Sequence, residues 1–275
     1  MANFSKKSIR SISLPCRSHP TTIKIEEELN KLKNSEVAST TESICDNICG
    51  LVELYKCINE LLNMPQTIQA LSKHQSEKWV DELLEGPLKL LDICAITRDV
   101  VSQFKENVRD LQSSLRRRKG DLSNGISVTK YTAFRKKMKK DVKKLISTLK
   151  QMDYVTGGSI LDVDQHVSAL IRVLREVYSM SVSIFQFVLS FLSASKKQSK
   201  WSISRLVIKG EDRQENELEN VDNMLCNICG AEEVQYVQNR LEHLEVQLQG
   251  IEAVLENIFK CLIKSRTFLL NIFSC

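Results

Sequence analysis

Proline and glycine are scarce in this chain. Four prolines and nine glycines punctuate 275 residues, and from Leu88 to Cys275 there is no proline at all. An internal proline removes a helix donor and clashes with the preceding turn, so its absence leaves the last two thirds of the chain open to long helices. Period-two alternation never persists, which gives no support for strands. The first 24 residues never place more than two apolar residues together, so a secretory signal is not expected. Nine cysteines therefore read as reduced, cytosolic thiols rather than a disulfide framework, and a cytoplasmic location is expected. A Met-Gly start and a C-terminal prenylation box are both missing, which argues against lipid anchoring.

Catalytic patterns are missing as well. His19, His74, His166 and His243 are scattered, and no metalloprotease spacing, nucleophile elbow, phosphate loop or dinucleotide fingerprint occurs. No catalytic residue and no cofactor is expected. Cys226 and Cys229, with Cys45 and Cys49, are the only thiol pairs at ligand-like spacing. Cys45 and Cys49 fall one turn apart beside an apolar stripe, where small apolar side chains pack well. The expected reading is packing cysteines and no metal.

Helical periodicity is what the sequence does contain. Ile44, Ile48, Leu51, Tyr55, Ile58 and Leu62 form a stripe behind a capping box at Ser39 and Glu42, ended by Pro65. A second long helix starts near Ser76, with Pro87 expected to kink or restart it, and continues through Val101, Phe104, Val108, Leu111 and Leu115. A third places Tyr131, Phe134, Met138, Val142, Leu145, Leu149 and Met152 on one face. Ser159 with Asp162 can cap a fourth helix, and residues 196–217 read as a polar connection. In the last helix, Val234, Val237, Leu241, Leu244, Leu248, Ile251, Leu255, Ile258 and Leu262 repeat at 3-4-3-4 spacing. Its flanking positions change from Gln238, Arg240 and Glu245 to Val254, Phe259 and Cys261, which favours burial in a bundle over a dimeric coiled coil. The pattern predicts an all-α bundle of long antiparallel helices with a heptad-patterned C-terminal helix. Residues 1–23 are expected to form a disordered basic tail, and residues 24–275 a single helical domain.

Charge is unevenly distributed. The net charge is +5, but residues 116–150 carry thirteen basic and two acidic side chains, and residues 211–256 carry twelve acidic and two basic ones. Arg135, Lys136, Lys137, Lys139, Lys140, Lys143, Lys144 and Lys150 fill the gaps in the third helix. A basic amphipathic helix suits an anionic membrane surface, calmodulin or nucleic acid. Nucleic acid is disfavoured, since only Tyr131 and Phe134 are interleaved for base stacking. The favoured reading is a bundle helix whose charges are solvated or meet the acidic C-terminal helix. Residues Val177 to Ser195 form an uncharged stretch just long enough for a membrane span. Its serines and Gln186 dilute its hydrophobicity, and a central bundle helix explains the pattern better.

The N-terminal run "RSISLP" is the remaining motif. Arg10, Ser13 and Pro15 fit the phosphoserine pattern read by a 14-3-3-type adaptor, with Arg10 placed for a basophilic kinase. An organelle transit peptide shares the composition of residues 1–25, and a plain solvated tail is the third reading.

Several stretches together resemble the plant BYPASS-like family, formerly domain of unknown function 241. They are "RSISLPCRSHP" at 10–20, "LVELYKCINELLNMPQTIQAL" at 51–71 and "WVDELLEGPLKLLDICAITRDVV" at 79–101, with "LQSSLRRRKGD" at 111–121, "RKKMKK" at 135–140 and "CLIKSRTFLLNIFS" at 261–274. Pro87 and Cys16 depart from the pattern. The resemblance implies a role in root and shoot development through limiting a mobile root signal. It implies no catalytic or ligand-binding residue. With the tail, it leads to the expectation of a non-enzymatic helical interaction protein working through protein partners. A peripheral or single-span membrane protein using residues 130–150 is the alternative.

Overall fold

A computed structural model describes residues 20–35, 40–117, 125–153, 165–193, 216–226 and 231–274. Among these residues there are eight α-helices and no strand: α1 (Pro20–Asn34), α2 (Thr41–Leu62), α3 (Pro65–Leu71), α4 (Lys78–Arg117), α5 (Ile126–Asp153), α6 (Gln165–Ser193), α7 (Glu217–Cys226) and α8 (Ala231–Ser274). The all-α expectation holds. The helices are long because nothing interrupts them, and they are stable because each buries a stripe.

The 44-residue α8 is the spine, packed most extensively against α4 and then α2. Val237, Leu241, Leu244, Leu248, Ile251, Leu255, Ile258 and Leu262 are all buried. The 3-4-3-4 spacing continues through Ser265, Leu269 and Ile272, so one polar side chain occupies a core position. Ser265 donates its hydroxyl to Asn59 Oδ1 at 2.7 Å, and Asn59 Nδ2 donates to the Cys261 carbonyl at 3.3 Å. That exchange satisfies buried polar atoms that would otherwise cost about 1–3 kcal/mol each. Val254, Phe259 and Cys261 are half-buried against the same core, as their departure from charged flanking residues suggested.

Outside this core seam, α4 and α8 meet through ion pairs in antiparallel order. Arg98 pairs with Glu256, Lys105 with Glu252, Arg109 with Glu245 and Arg116 with Glu242. These four acids of the C-terminal helix thus meet α4 rather than the basic α5. Mostly solvent-facing pairs contribute about 0.2–1 kcal/mol each, so the ladder fixes register more than stability.

Three local features differ from the sequence reading. The N-cap of α2 is Thr40, which accepts from the Ser43 N–H at 3.2 Å, one residue beyond the expected cap. Residues 20–23, expected in the tail, are the first turn of α1, with Thr21 buried. Pro20 at the first helical position loses no bond, because that N–H has no helical partner anyway. Packing of α1 on α2 explains why α2 buries far more than one stripe, including Cys57 and Leu61. Finally, α4 runs through Pro87 without restarting. The residue before proline is normally pushed out of the helical region by clashes of the proline Cδ with its N–H and Cβ, and here it is Gly86, which has no Cβ to clash. The Tyr178 ring of α6 occupies the space, since a Cβ on Gly86 would lie 3.0 Å from its Cε2.

Candidate functional site

The apolar stripe of α5 faces inward. Tyr131, Met138, Val142 and Leu149 are buried, and Phe134 and Leu145 are half-buried against the core. α5 packs mainly on α6 and next on α4. Helical spacing then divides its cations between two environments. Lys136, Lys137, Lys140, Lys143, Lys144 and Lys150 are exposed, Lys139 is half-buried, and Arg135 is only 2% exposed. Arg135 therefore does not belong to the basic surface on which the sequence placed it. It lies one turn from Tyr131 and Met138 on the core side.

The partner that draws Arg135 inward is Asp222 of α7. The guanidinium donates from Nε to Asp222 Oδ1 at 3.0 Å and from Nη2 to Oδ2 at 2.9 Å. Its Nη1 donates to the Leu192 carbonyl at 3.2 Å, satisfying one of the orphan acceptors at the end of α6. The charge also sits 4.7 Å above the Phe104 ring of α4. Lys139 Nζ donates to Asp222 Oδ2 at 2.9 Å, and the Tyr131 hydroxyl donates to Oδ1 at 3.2 Å. Burial alone would raise the Asp222 carboxyl, yet Arg135 and Lys139 beside it hold it below the ordinary carboxylate range. Burial pushes the Tyr131 phenol up.

This knot ties α7 into the bundle at several points. Asn216, next to the first residue of α7, donates to the Phe191 carbonyl at 3.0 Å. Glu217 accepts from the Thr41 N–H at 3.0 Å, at the start of α2. Nothing in the periodicity marks Asp222 as a partner for Arg135. The only signal was the opposite net charge of residues 116–150 and 211–256.

With Arg135 and Lys139 engaged inside, the outer face of α5 is left as the candidate interaction surface. Lys136, Lys137, Lys140 and Lys143 form no ion pair among the described residues, and Lys144 reaches only Asp141 at 3.6 Å. Tyr131 and Phe134, the aromatics available for base stacking, both pack beside Phe104, with ring centroids at 6.3 and 6.1 Å.

The other sequence candidates are dispersed. Arg10, Ser13 and Pro15, most of the 196–217 connection and Cys229 lie outside the described residues. Cys45 and Cys49 are on α2, the first half-buried and the second exposed, while Cys226 ends α7. Burial pushes the Cys45 thiol up to about 11 and the Cys94 thiol up to about 12, away from reactive thiolates. Among the described residues no group of three or more His, Cys, Asp or Glu side chains is placed to hold a metal ion. α6 is long and apolar enough to cross a membrane by length and composition. Half of its most apolar stretch is buried within the bundle, and Ser181 there bonds the Tyr55 hydroxyl at 3.0 Å.

A family model described as Protein BPS1 matches residues 47–272, from the first turns of α2 almost to the end of α8. The chain belongs to the BPS1 family. This is the BYPASS-like group that the sequence resembles, and membership suggests a role in plant development. The BPS1 family is not a known enzyme family. No curated protein and no solved structure matches the chain.

Proposed function

We propose that this member of the BPS1 family is a non-enzymatic helical interaction protein, acting in root and shoot development through anionic protein partners held on the outer face of α5. One contrast carries the reading. Arg135 and Lys139 are both ion-paired with Asp222, whereas Lys136, Lys137, Lys140 and Lys143 face solvent with no acid paired to them among the described residues. Such a cluster raises the local concentration of an anionic partner and speeds its docking. The bundle is the rigid scaffold. The N-terminal tail is a second, regulated element, in which phosphorylation of Ser13 adds roughly −2 charge and a motif with Arg10 and Pro15 for a 14-3-3-type adaptor. The site of action is the cytoplasm.

The second reading is an anionic membrane surface, favoured by the same lysines. Because the apolar stripe of α5 is core, the helix has no face to insert, and contact with lipid would be electrostatic alone. Fractionation of plant tissue separates the readings. The interaction protein stays in the supernatant at low salt. Pelleting reversed by high salt points to a membrane surface instead, and pelleting that resists alkaline carbonate to an inserted α6. Deleting residues 8–15 from the full chain should abolish phosphate-dependent adaptor binding without changing Tm; binding that persists removes the tail from the account.

A further inference from the structure

Below the Gly86–Pro87 step, α2, α4, α6 and α8 leave a cleft of about 70 Å³. At about 10–15 Å³ for one water, this is space for roughly five waters or one small ring. The walls are mainly apolar, with Leu83, Leu174, Val177 and Leu269 among them. The charges that border the cleft are already matched. Arg175 donates to Glu82 twice, at 3.0 and 2.7 Å, and at the solvent-exposed mouth Lys89 pairs with Glu85 at 2.8 Å. The Tyr55 hydroxyl is engaged with Ser181 and the Ser265 hydroxyl with Asn59. An ionic ligand finds no unmatched charge here.

One acceptor is left by the covalent structure itself. In an α-helix the carbonyl of residue 83 accepts from the N–H of residue 87, and Pro87 has no N–H. The Leu83 carbonyl therefore lacks its helical donor, and Leu83 and Pro87 both line the cleft. We propose that this cleft is a binding site for a small, neutral, largely apolar molecule carrying one hydrogen-bond donor, of the phenol or indole class. The ring fills the apolar space, and its O–H or N–H donates to the Leu83 carbonyl. Pockets of this kind, apolar with one fixed polar contact, are the usual form of small-ligand sites.

The test uses the full chain and three probes, phenol, indole and benzene, with binding followed by ligand-observed NMR. Phenol and indole should bind about tenfold more tightly than benzene, the worth of one good hydrogen bond. Pro87→Ala keeps the apolar walls and restores an N–H to the Leu83 carbonyl, so it should erase that advantage while benzene binding persists. Leu174→Phe narrows the cleft and should abolish binding of all three. Equal affinities in the wild-type chain overturn the proposal, as does an advantage that survives Pro87→Ala. Binding unaffected by Leu174→Phe, or no binding of any probe up to its solubility, overturns it equally.

Discussion

Asp222→Ala should destabilise the folded chain by about 3–5 kcal/mol, because it leaves Arg135 charged and buried without a counter-ion. Arg135 is 2% exposed and Asp222 about a fifth exposed, so water can replace the lost carboxylate only in part. The Leu192 carbonyl and the Phe104 ring remain near the guanidinium, but neither neutralises it. The loss should appear as a lower denaturant midpoint with an unchanged slope. Asp141→Ala is the control. Its partner Lys144 is well exposed at 3.6 Å, and the cost should stay within about 0.5 kcal/mol. Arg135→Met combined with Asp222→Leu should recover part of the stability, since apolar replacement of a buried ion pair is often neutral or better, while Lys139 and the Tyr131 hydroxyl still lose their acceptor. The linkage has a definite sign. The Asp222 carboxyl is depressed in the folded chain, so its contribution is complete above the ordinary value of 3.8 and disappears as pH falls through the lower folded value. Wild type should therefore lose more stability on the acid side than the double variant, which keeps the other depressed carboxyls, Glu85 and Glu252.

Leu255→Ala should cost about 2–5 kcal/mol, the range for removing a large side chain from a core that cannot collapse around the gap. Leu255 is 0% exposed midway along α8, the helix to which both α2 and α4 are fastened. Its carbonyl also accepts from the buried Cys94 thiol at 3.5 Å, placing α4 directly against this position. Val246 is the natural comparison, since it lies on the same helix and is 70% exposed. Val246→Ala should change stability by no more than about 0.5 kcal/mol. A similar cost at the two positions would mean that α8 is not the spine. Unfolding followed by circular dichroism measures both.

Most of the fold is legible in the sequence because its principal signal is repetition. The stripe of α8 predicted which side chains are buried at position after position, and the uncharged flanks at Val254, Phe259 and Cys261 indicated burial in a bundle rather than a dimeric coiled coil. Elements without an apolar period of their own are harder to read. α7 has ten residues and is held by Asn216, Glu217 and Asp222 as much as by apolar packing, so periodicity alone did not set it apart. Pro87 misleads for a different reason. Its usual effect is to break a helix, and only the pairing of Gly86 with the Tyr178 ring explains how α4 continues.

The candidate surface was half legible. Spacing indicated that α5 presents cations between its core positions, but it could not tell a lysine facing water from an arginine one turn away facing Asp222. That distinction depends on a chain segment nearly ninety positions distant. The acidic C-terminal half was visible as a charge imbalance, whereas its partition between α4 and α5 required the helix register.

The most direct test of the account is genetic replacement of the lysine face. Plants lacking this chain would receive either the wild type or a variant with Lys136→Glu, Lys137→Glu, Lys140→Glu and Lys143→Glu, with the Tm of both purified proteins compared. These side chains touch no core residue's role, so the variant should keep its fold and Tm. It should nevertheless fail to restore root and shoot growth that the wild type restores. Full restoration by the variant would contradict the claim that α5 holds the partner.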